Sequence, residues 1–210
     1  KSLYVLGSSD YQSTEDLKGQ KIAVPNGIGN SDYNITARLM DADGINPLTE
    51  VELIQVDNSA CVPAMQNGEI AGALLSDTYA YNMLKDGTLR KVRSMLDEDL
   101  DQLCCAIGMN GTFVEENPIT ARKLAQCVKK ALNWMGDNPE EATQLLLDEG
   151  LNSGDFDMNV EINDSLQFGL TNEFTEAQLK QIIDDYIRLG LITTNDSAEE
   201  ILANVWHPLD

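Results

Sequence analysis

Three clusters of polar residues in the first half of the chain have side chains suited to binding a small molecule. Each cluster follows a short apolar run that reads as a buried strand, and each precedes a stretch with helical spacing. Ligands of α/β proteins bind outside the carboxyl ends of parallel strands, where neighbouring loops meet. We therefore predict one binding site from Asn26, Gly27, Gly29, Asn30, Ser31 and Asp32 after the first run, Asn58 after the second, and Asp77, Thr78 and Tyr79 after the third.

The stretch 14–32 contains the most informative cluster. It reads as a short helix, a glycine turn, a strand over 21–25, a glycine-rich loop and the start of a second helix. Backbone N–H groups and the helix dipole at such a place favour acceptors or negative charge. The stretch has neither G-x-G-x-x-G nor Gly-Lys-Ser/Thr, so nucleotide binding is the weaker interpretation. The alternative to a site is that Ser31, Ser59 and Thr78 only cap the helices that follow.

The sequence contains no pattern of catalytic or metal-binding residues. Its single histidine, His207, lies near the end of the chain, and the acidic clusters lack the spacing of a calcium loop. No C-x-x-C pair is present. We predict no enzymatic activity, no cofactor and no metal site. The cysteines are expected to be mostly buried thiols, with the adjacent pair on opposite faces of a strand; they are Cys61, Cys104, Cys105 and Cys127.

Composition restricts the class of partner. The chain has 210 residues, of which 42% are hydrophobic, and 14 Lys and Arg face 35 Asp and Glu, for a net charge of −21. Such a charge repels nucleic acids and anionic membrane surfaces, so nucleic acid is excluded as a partner. No apolar run is long enough to span a bilayer.

Strand and helix patterns alternate along the first half and give way to helices in the second. Strands are predicted at 21–25, 51–56, 70–75, 89–95 and 103–109, with helices at 32–43, 59–67 and 79–85 between them. This alternation predicts an α/β fold with a mostly parallel sheet. From residue 117 onward, Asn-Pro pairs at 117–118 and 138–139 and capping boxes at 175–178 and 197–200 predict helices.

Four stretches occur in an order that resembles a known family. They are EDLKGQKIAVP at 15–25, GINP at 44–47, NGEIAGALLSD at 67–77 and the long helical stretch 114–142. In order and spacing they resemble the solute-binding proteins of ABC importers for nitrate, sulfonate, taurine and thiamine precursors. The resemblance extends from about residue 13 to the WHPL near the end of the chain.

This resemblance implies a type II periplasmic binding protein, in which two α/β lobes close on a small solute. Residues 1–12 would be a crossover or hinge segment, 13–112 the second lobe, and 113–210 a helical region belonging partly to an incomplete first lobe. Members of the family begin with a segment that this chain lacks, so half of the cleft is expected to be missing. The family's ligand contacts imply binding by the loop 26–32 and by Asp77, Thr78 and Tyr79.

The same resemblance implies a role and a place. The protein would be extracytoplasmic, either periplasmic or lipid-anchored on the outer face of the membrane, with its signal segment outside this chain. It would deliver its solute to an ABC permease. Copies of the chain could also associate with one another through the incomplete lobe. The alternative is a ligand-sensing domain of a regulatory protein with this fold. Because Asp32, Asp57 and Asp77 occur in the site loops without Lys or Arg, we expect a neutral or amine-bearing solute.

Overall fold

The structure, a computed structural model, describes residues 1–97, 103–152 and 154–208 of a chain that divides into two compact units. Unit 1 comprises Lys1–Gln102 and Asp184–Asn195, and unit 2 comprises Leu103–Ile183 and Asp196–Asp210. The candidate site residues all lie in unit 1. The interpretation of 1–12 as a crossover segment, and of 13–112 and 113–210 as parts of two lobes, stays a prediction.

Unit 1 is built on a sheet in the order β3-β2-β4-β1-β5. β2 pairs in parallel with β3 and β4, whereas β1 pairs antiparallel with β4 and β5. Only β1 therefore runs against the other strands, and its amino end lies beside their carboxyl ends. We call this side of the sheet the carboxyl edge. The strands are β1 (Ser2–Leu6), β2 (Lys21–Ala23), β3 (Glu52–Ile54), β4 (Gly72–Leu75) and β5 (Leu89–Ser94).

Three helices connect the parallel strands, as the sequence predicts. They begin at the carboxyl edge and return the chain to the start of the next strand. Gly44, just beyond the first of them, has φ +76, the left-handed conformation that commonly ends a helix. A one-turn 3₁₀ helix at Glu15–Leu17 precedes β2. The helices are α1 (Ser31–Ala42), α2 (Asn58–Gln66) and α3 (Asp77–Lys85).

The α/β class is confirmed, with two differences in the strands. The sheet is mixed, because β1 lies antiparallel between β4 and β5. The strand predicted at 103–109 is wrong, since these residues form no strand. Leu103 is buried, whereas Ile107 is 51% exposed.

The core of unit 1 fills both faces of the sheet. Leu3 and Val5 point to one face, where they pack with Ile22 and Leu39. Tyr4 points to the other face, where it packs with residues of β2, β4 and α2. Because both faces of β1 are buried, this strand is a central element of unit 1, and its position determines which groups reach the carboxyl edge.

The segment Asp184–Asn195 joins unit 1 through ion pairs to α1. Asp185 is 9% exposed and accepts a hydrogen bond from Nε of Arg38 at 3.0 Å. Arg188 binds both carboxylate oxygens of Asp41, at 2.8 and 2.6 Å, and also contacts Asp185 at 2.9 Å. The buried Arg38–Asp185 pair thus attaches this segment to the helix that begins in the candidate site.

The described part of unit 2 is helical. Its elements are α4 (Gly111–Glu116), α5 (Pro118–Asp137), α6 (Pro139–Asp148), α7 (Phe156–Asp164), α8 (Asn172–Arg188), whose last turn belongs to unit 1, and α9 (Ala198–Val205). Within the described ranges, no helix is both long enough and apolar enough to cross a membrane.

The predicted helix starts of unit 2 are partly confirmed. α5 and α6 begin with proline, and Ser197 and Glu200 form a capping box at α9. The box predicted at 175–178 is wrong, because α8 starts at Asn172 and Thr175 lies inside it. The hydroxyl of Thr171 instead accepts a hydrogen bond from the backbone N–H of Phe174 at 3.2 Å.

The cysteines differ from the expectation of mostly buried thiols. Only Cys61 is buried, while Cys104, Cys105 and Cys127 are exposed. The expectation rested on the usual burial of free cysteines, and these three side chains lie instead at the surface. Burial, together with the negative charges of Asp32 and Asp57, raises the pKa of the Cys61 thiol to about 11.

A thiol titration should separate Cys61 from the other cysteines. We expect three thiols of the folded, reduced protein to react rapidly with Ellman's reagent at pH 8, and Cys61 to react only on unfolding, because it is buried and protonated. A Cys61→Ser variant should lose the slow thiol and keep the three fast ones. Rapid reaction of all four native thiols would contradict the burial of Cys61.

Candidate functional site

The candidate site lies at the carboxyl edge of the unit 1 sheet. β3, β2 and β4 are adjacent and parallel, so the loops that leave their carboxyl ends are neighbours. Each loop leads into the amino end of a helix, α1 after β2, α2 after β3 and α3 after β4. The amino ends of three helices therefore face the same side.

The loop after β2 turns through two glycines. Gly27 and Gly29 have φ +89 and +82, a conformation that residues with a Cβ rarely adopt. At Gly27 a Cβ would lie 3.0 Å from Oε1 of Gln55, so this loop packs against the residue that follows β3. At Gly29 no described atom lies within 4 Å of the Cβ position, which leaves this part of the loop open.

Asp32 fastens the glycine loop to the first turn of α1. Its side chain is 2% exposed, and Oδ2 accepts a hydrogen bond from the backbone N–H of Asn26 at 2.9 Å. The carbonyl of Asn26 accepts a hydrogen bond from Nδ2 of Asn30 at 2.6 Å. Asp32 is therefore a structural support of the loop, whereas Asn30 and Ser31 are exposed at its surface.

Asp77, the first residue of α3, binds that helix to β1. Its Oδ1 accepts hydrogen bonds from the hydroxyls of Ser2 at 2.7 Å and Tyr4 at 2.6 Å, and it lies 3.4 Å from Nζ of Lys91. Ser2 and Tyr4 are two residues apart on β1, so their side chains leave the same face. The Ser2 hydroxyl also lies 2.9 Å from that of Ser94 at the end of β5.

Lys1 connects the first and third predicted clusters. Its Nζ contacts Asp32 and lies 3.5 Å from Oγ of Ser31, and its backbone nitrogen lies 2.8 Å from Oδ2 of Asp77. Lys1 and Lys91 thus bring cationic side chains to this edge, whereas the charged side chains of the three loops are all carboxylates. The charges of Asp32 and Asp77 are balanced within the protein.

Burial and hydrogen bonding shift the acidity of the groups around Asp77. Burial raises the pKa of Tyr4 far above its ordinary value of 10.0, and the hydrogen bond to Asp77 and the charge of its carboxylate add to this. Burial also acts to raise the pKa of Asp77, but the hydrogen bonds that its carboxylate accepts, including those from Tyr4 and Ser2, outweigh it and hold that pKa well below its usual range. Near neutral pH the pair is a tyrosine hydroxyl donating to an ionised carboxylate.

The raised pKa of Tyr4 makes unit 1 sensitive to high pH. The unfolded chain releases the tyrosine proton near pH 10.0 and the folded chain retains it, so the associated stability is present in full below pH 10.0 and decreases as the pH rises above it. We expect the urea midpoint of the native protein to fall more steeply between pH 9 and 11 than that of Tyr4→Phe. Parallel slopes for the two proteins would contradict the assigned burial of the hydroxyl.

The remaining predicted site residues are exposed at the same edge and take no part in the hydrogen bonds to Asp77 described above. Asn58 begins α2 and is exposed. The hydroxyl of Thr78 lies 3.3 Å from that of Ser76, and Tyr79 is 36% exposed. These side chains are open to a ligand at the carboxyl edge.

The capping alternative is wrong for the three residues it names. Ser31, Ser59 and Thr78 lie within the first turns of their helices, because each helix begins earlier than the alternative assumes. The N-cap residues are Asn30, Asp57 and Ser76, and of their three side chains only that of Ser76 accepts a hydrogen bond from a backbone N–H, that of Tyr79 at 3.4 Å.

The sequence interpretation missed several residues of this edge. The signal for the hydroxyl pair is the alternation of Ser2 and Tyr4 in the stretch that forms β1, but the local sequence does not show where that strand lies in the sheet. The missed residues are Lys1, Ser2, Tyr4, Gln55, Lys91 and Ser94.

Unit 1 also contains a cavity of about 700 Å³ away from the predicted residues. It is lined by the first residues of β2 and β3, by Tyr11, and by Met65 and Gly68 near the end of α2. No group of three or more His, Cys, Asp or Glu side chains suited to a metal ion occurs among the described residues.

Comparisons with known proteins agree on the fold. The sequence model of the NMT1-like family matches residues 6–147. The chain is similar to the periplasmic aliphatic sulphonate binding protein SsuA from Escherichia coli, with 19% identity and a TM-score of 0.71 over 99% of this chain and 65% of that one. It is also similar to the periplasmic nitrate-binding protein NrtA from Synechocystis PCC 6803, with 15% identity and a TM-score of 0.72 over 97% and 61%.

A third similar structure is the alkanesulfonate-binding protein SsuA from Xanthomonas axonopodis pv. citri bound to MOPS. Its identity is 14% and its TM-score 0.70, over 95% of this chain and 68% of that one. A search of curated protein sequences finds no match. The chain therefore has the fold of these proteins and spans 61–68% of their lengths.

Proposed function

Since the chain belongs to the NMT1-like family, we propose that it is the extracytoplasmic solute-binding component of an ABC importer, which delivers a small molecule to a membrane permease without catalysing a reaction. The fold shared with periplasmic sulphonate- and nitrate-binding proteins supports this role. The observation that carries the proposal is the meeting of three strand-end loops, each leading into a helix, at one edge of the unit 1 sheet.

We propose that the solute contacts the exposed groups of this edge, while Asp32 and Asp77 hold those groups in place. The contacting residues would be Asn30 and Ser31 of the glycine loop, Asn58 of α2, and Thr78 and Tyr79 of α3, together with backbone N–H groups near Gly29. This interpretation gives the predicted residues two different roles, since Asp32 and Asp77 already have partners within the protein.

A neutral or amine-bearing solute remains our proposal for the ligand class. Lys1 and Lys91 are each paired with a carboxylate, and Asp57 adds a further negative charge beside α2. An anion would have to bind through helix amino ends near these acids. Tight binding of nitrate or a simple alkyl sulfonate would contradict this proposal.

The proposed role requires more residues than this chain contains. Because it spans 61–68% of the similar proteins, we propose that 13–112 forms the second lobe of a bilobal protein and that 113–210 contributes partly to the first. The opposite wall of the cleft would then come from residues outside this sequence. Self-association has no support among the described residues or the comparisons, and it stays a prediction.

Thermal unfolding with a panel of neutral, amine-bearing and anionic metabolites tests the proposal. A ligand present at about 100 times its Kd should raise Tm by roughly 5 °C. Asn58→Ala should reduce this shift, and Asn67→Ala should not, because Asn67 follows the opposite end of the same helix. Equal effects of the two variants would contradict a site at the carboxyl edge.

A further inference from the structure

Cys104 and Cys105 place two exposed thiols in contact. Their Sγ atoms are 3.4 Å apart, and both residues are exposed in unit 2. In an extended strand the side chains of adjacent residues point to opposite faces, which would separate the sulfurs. Here they meet because 103–110 forms neither strand nor helix. Neither residue belongs to the solute site described above.

We propose that Cys104 and Cys105 are a modification site, a vicinal dithiol that closes to a disulfide by exchange with a small external disulfide. One thiolate attacks the external disulfide, forms a mixed disulfide and releases one small thiol. The second thiolate then attacks the protein sulfur of that mixed disulfide, forms the Cys104–Cys105 bond and releases the second small thiol. Two protein thiols are oxidised, one external disulfide is reduced, and the two thiol protons pass to the released thiols.

The contact distance favours the second of these steps. The sulfurs must approach from 3.4 Å to about 2.05 Å. Neither helix nor sheet pairing holds the backbone of 103–110, so this approach breaks no element of secondary structure. An attacking sulfur already in contact with its target reacts at a high effective concentration. Cys127 is exposed as well, but it lies on α5 and is separated from the pair by more than 20 residues.

The backbone makes such a bond easy to reverse. Adjacent Cα atoms are about 3.8 Å apart across a trans peptide, which is below the separation of most disulfides. A strained and exposed disulfide is readily reduced, which is the behaviour of labile rather than structural bonds. The pair is therefore suited to reversible oxidation. This inference does not depend on the proposed solute-binding function.

Mass spectrometry after thiol–disulfide exchange tests the proposal. The reduced protein, freed of reductant, is incubated with oxidised glutathione at pH 8 and digested with trypsin without further reduction. The tryptic peptide 94–122 contains Cys104 and Cys105 and no other cysteine. We expect this peptide to become lighter by two hydrogens without retaining glutathione, and we expect dithiothreitol to reverse the change.

Matched variants separate this closure from ordinary glutathionylation. Cys105→Ser should accumulate the glutathione adduct of Cys104 at least about tenfold above the native protein, because the second step is lost. Cys127→Ser should behave as the native protein does at 94–122. The proposal is overturned if native 94–122 retains glutathione, if it links to Cys127, or if it stays reduced while Cys127 reacts.

Discussion

Replacing Asp77 by alanine is expected to lower the free energy of unfolding of unit 1 by about 3 kcal/mol. The carboxylate accepts hydrogen bonds from Ser2 and Tyr4, which are 0% and 1% exposed, and it pairs with Lys91. Alanine leaves the buried Tyr4 hydroxyl without this acceptor, and the Ser2 hydroxyl keeps only that of Ser94. Urea unfolding followed by tyrosine absorbance measures the effect, because all six tyrosines lie in unit 1 and both tryptophans in unit 2.

Asp10→Ala is the matched control for this substitution. Asp10 is an exposed acid of unit 1, and its removal should change stability by no more than about 0.5 kcal/mol. Because the pKa of Asp77 is lowered on folding, its contribution is present above about pH 4 and is lost as the pH falls further. The difference between the native protein and Asp77→Ala should therefore narrow in acid. A loss below 0.5 kcal/mol at neutral pH would show that the cluster does not stabilise unit 1.

Replacing Asp185 by alanine is expected to have a similar effect, also about 3 kcal/mol. Its carboxylate pairs with Arg38 at 3.0 Å, and both side chains are largely buried. Alanine leaves the Arg38 charge in a low-dielectric environment without its carboxylate, and it loosens the attachment of Asp184–Asn195 to α1. The urea midpoint observed through the tyrosines of unit 1 should fall accordingly.

Asp41→Ala provides the contrast between a buried and an exposed ion pair. Asp41 binds Arg188 through both oxygens, but the Arg188 side chain is 54% exposed. Exposed pairs contribute at most about 1 kcal/mol, and salt screens them. We expect Asp41→Ala to cost much less than Asp185→Ala. If the two variants are equally destabilised, burial does not determine the strength of these pairs.

The parallel part of the fold could be predicted from local patterns. The apolar runs at β2, β3 and β4 are each followed by polar residues and an amphipathic helix, and this order makes right-handed parallel units with their loops at one edge. The position of the site loops at the carboxyl edge follows from the same rule. Short-range signals were sufficient because each unit is formed by residues close together in the sequence.

The features that could not be predicted depend on contacts between residues that are distant in the sequence. The pairing of β1 with β4 and β5 joins residues about 70 to 90 positions apart, and nothing in the first strand specifies those partners. That pairing brings the hydroxyls and amines close to Asp77. The local sequence therefore predicted the acids of the site but not their partners. The strand predicted at 103–109 was wrong for a related reason. An apolar composition does not establish that another strand is present for these residues to pair with.

The position of a bound solute on the sheet tests the central claim most directly. Backbone amide shifts in a two-dimensional ¹⁵N–¹H NMR spectrum of the whole chain, titrated with a ligand that raises its Tm, report this position residue by residue. We predict that the largest shifts cluster at 26–32, 57–59 and 76–79, at the carboxyl edge. Shifts centred instead on the cavity near Tyr11, Met65 and Gly68 would contradict the account.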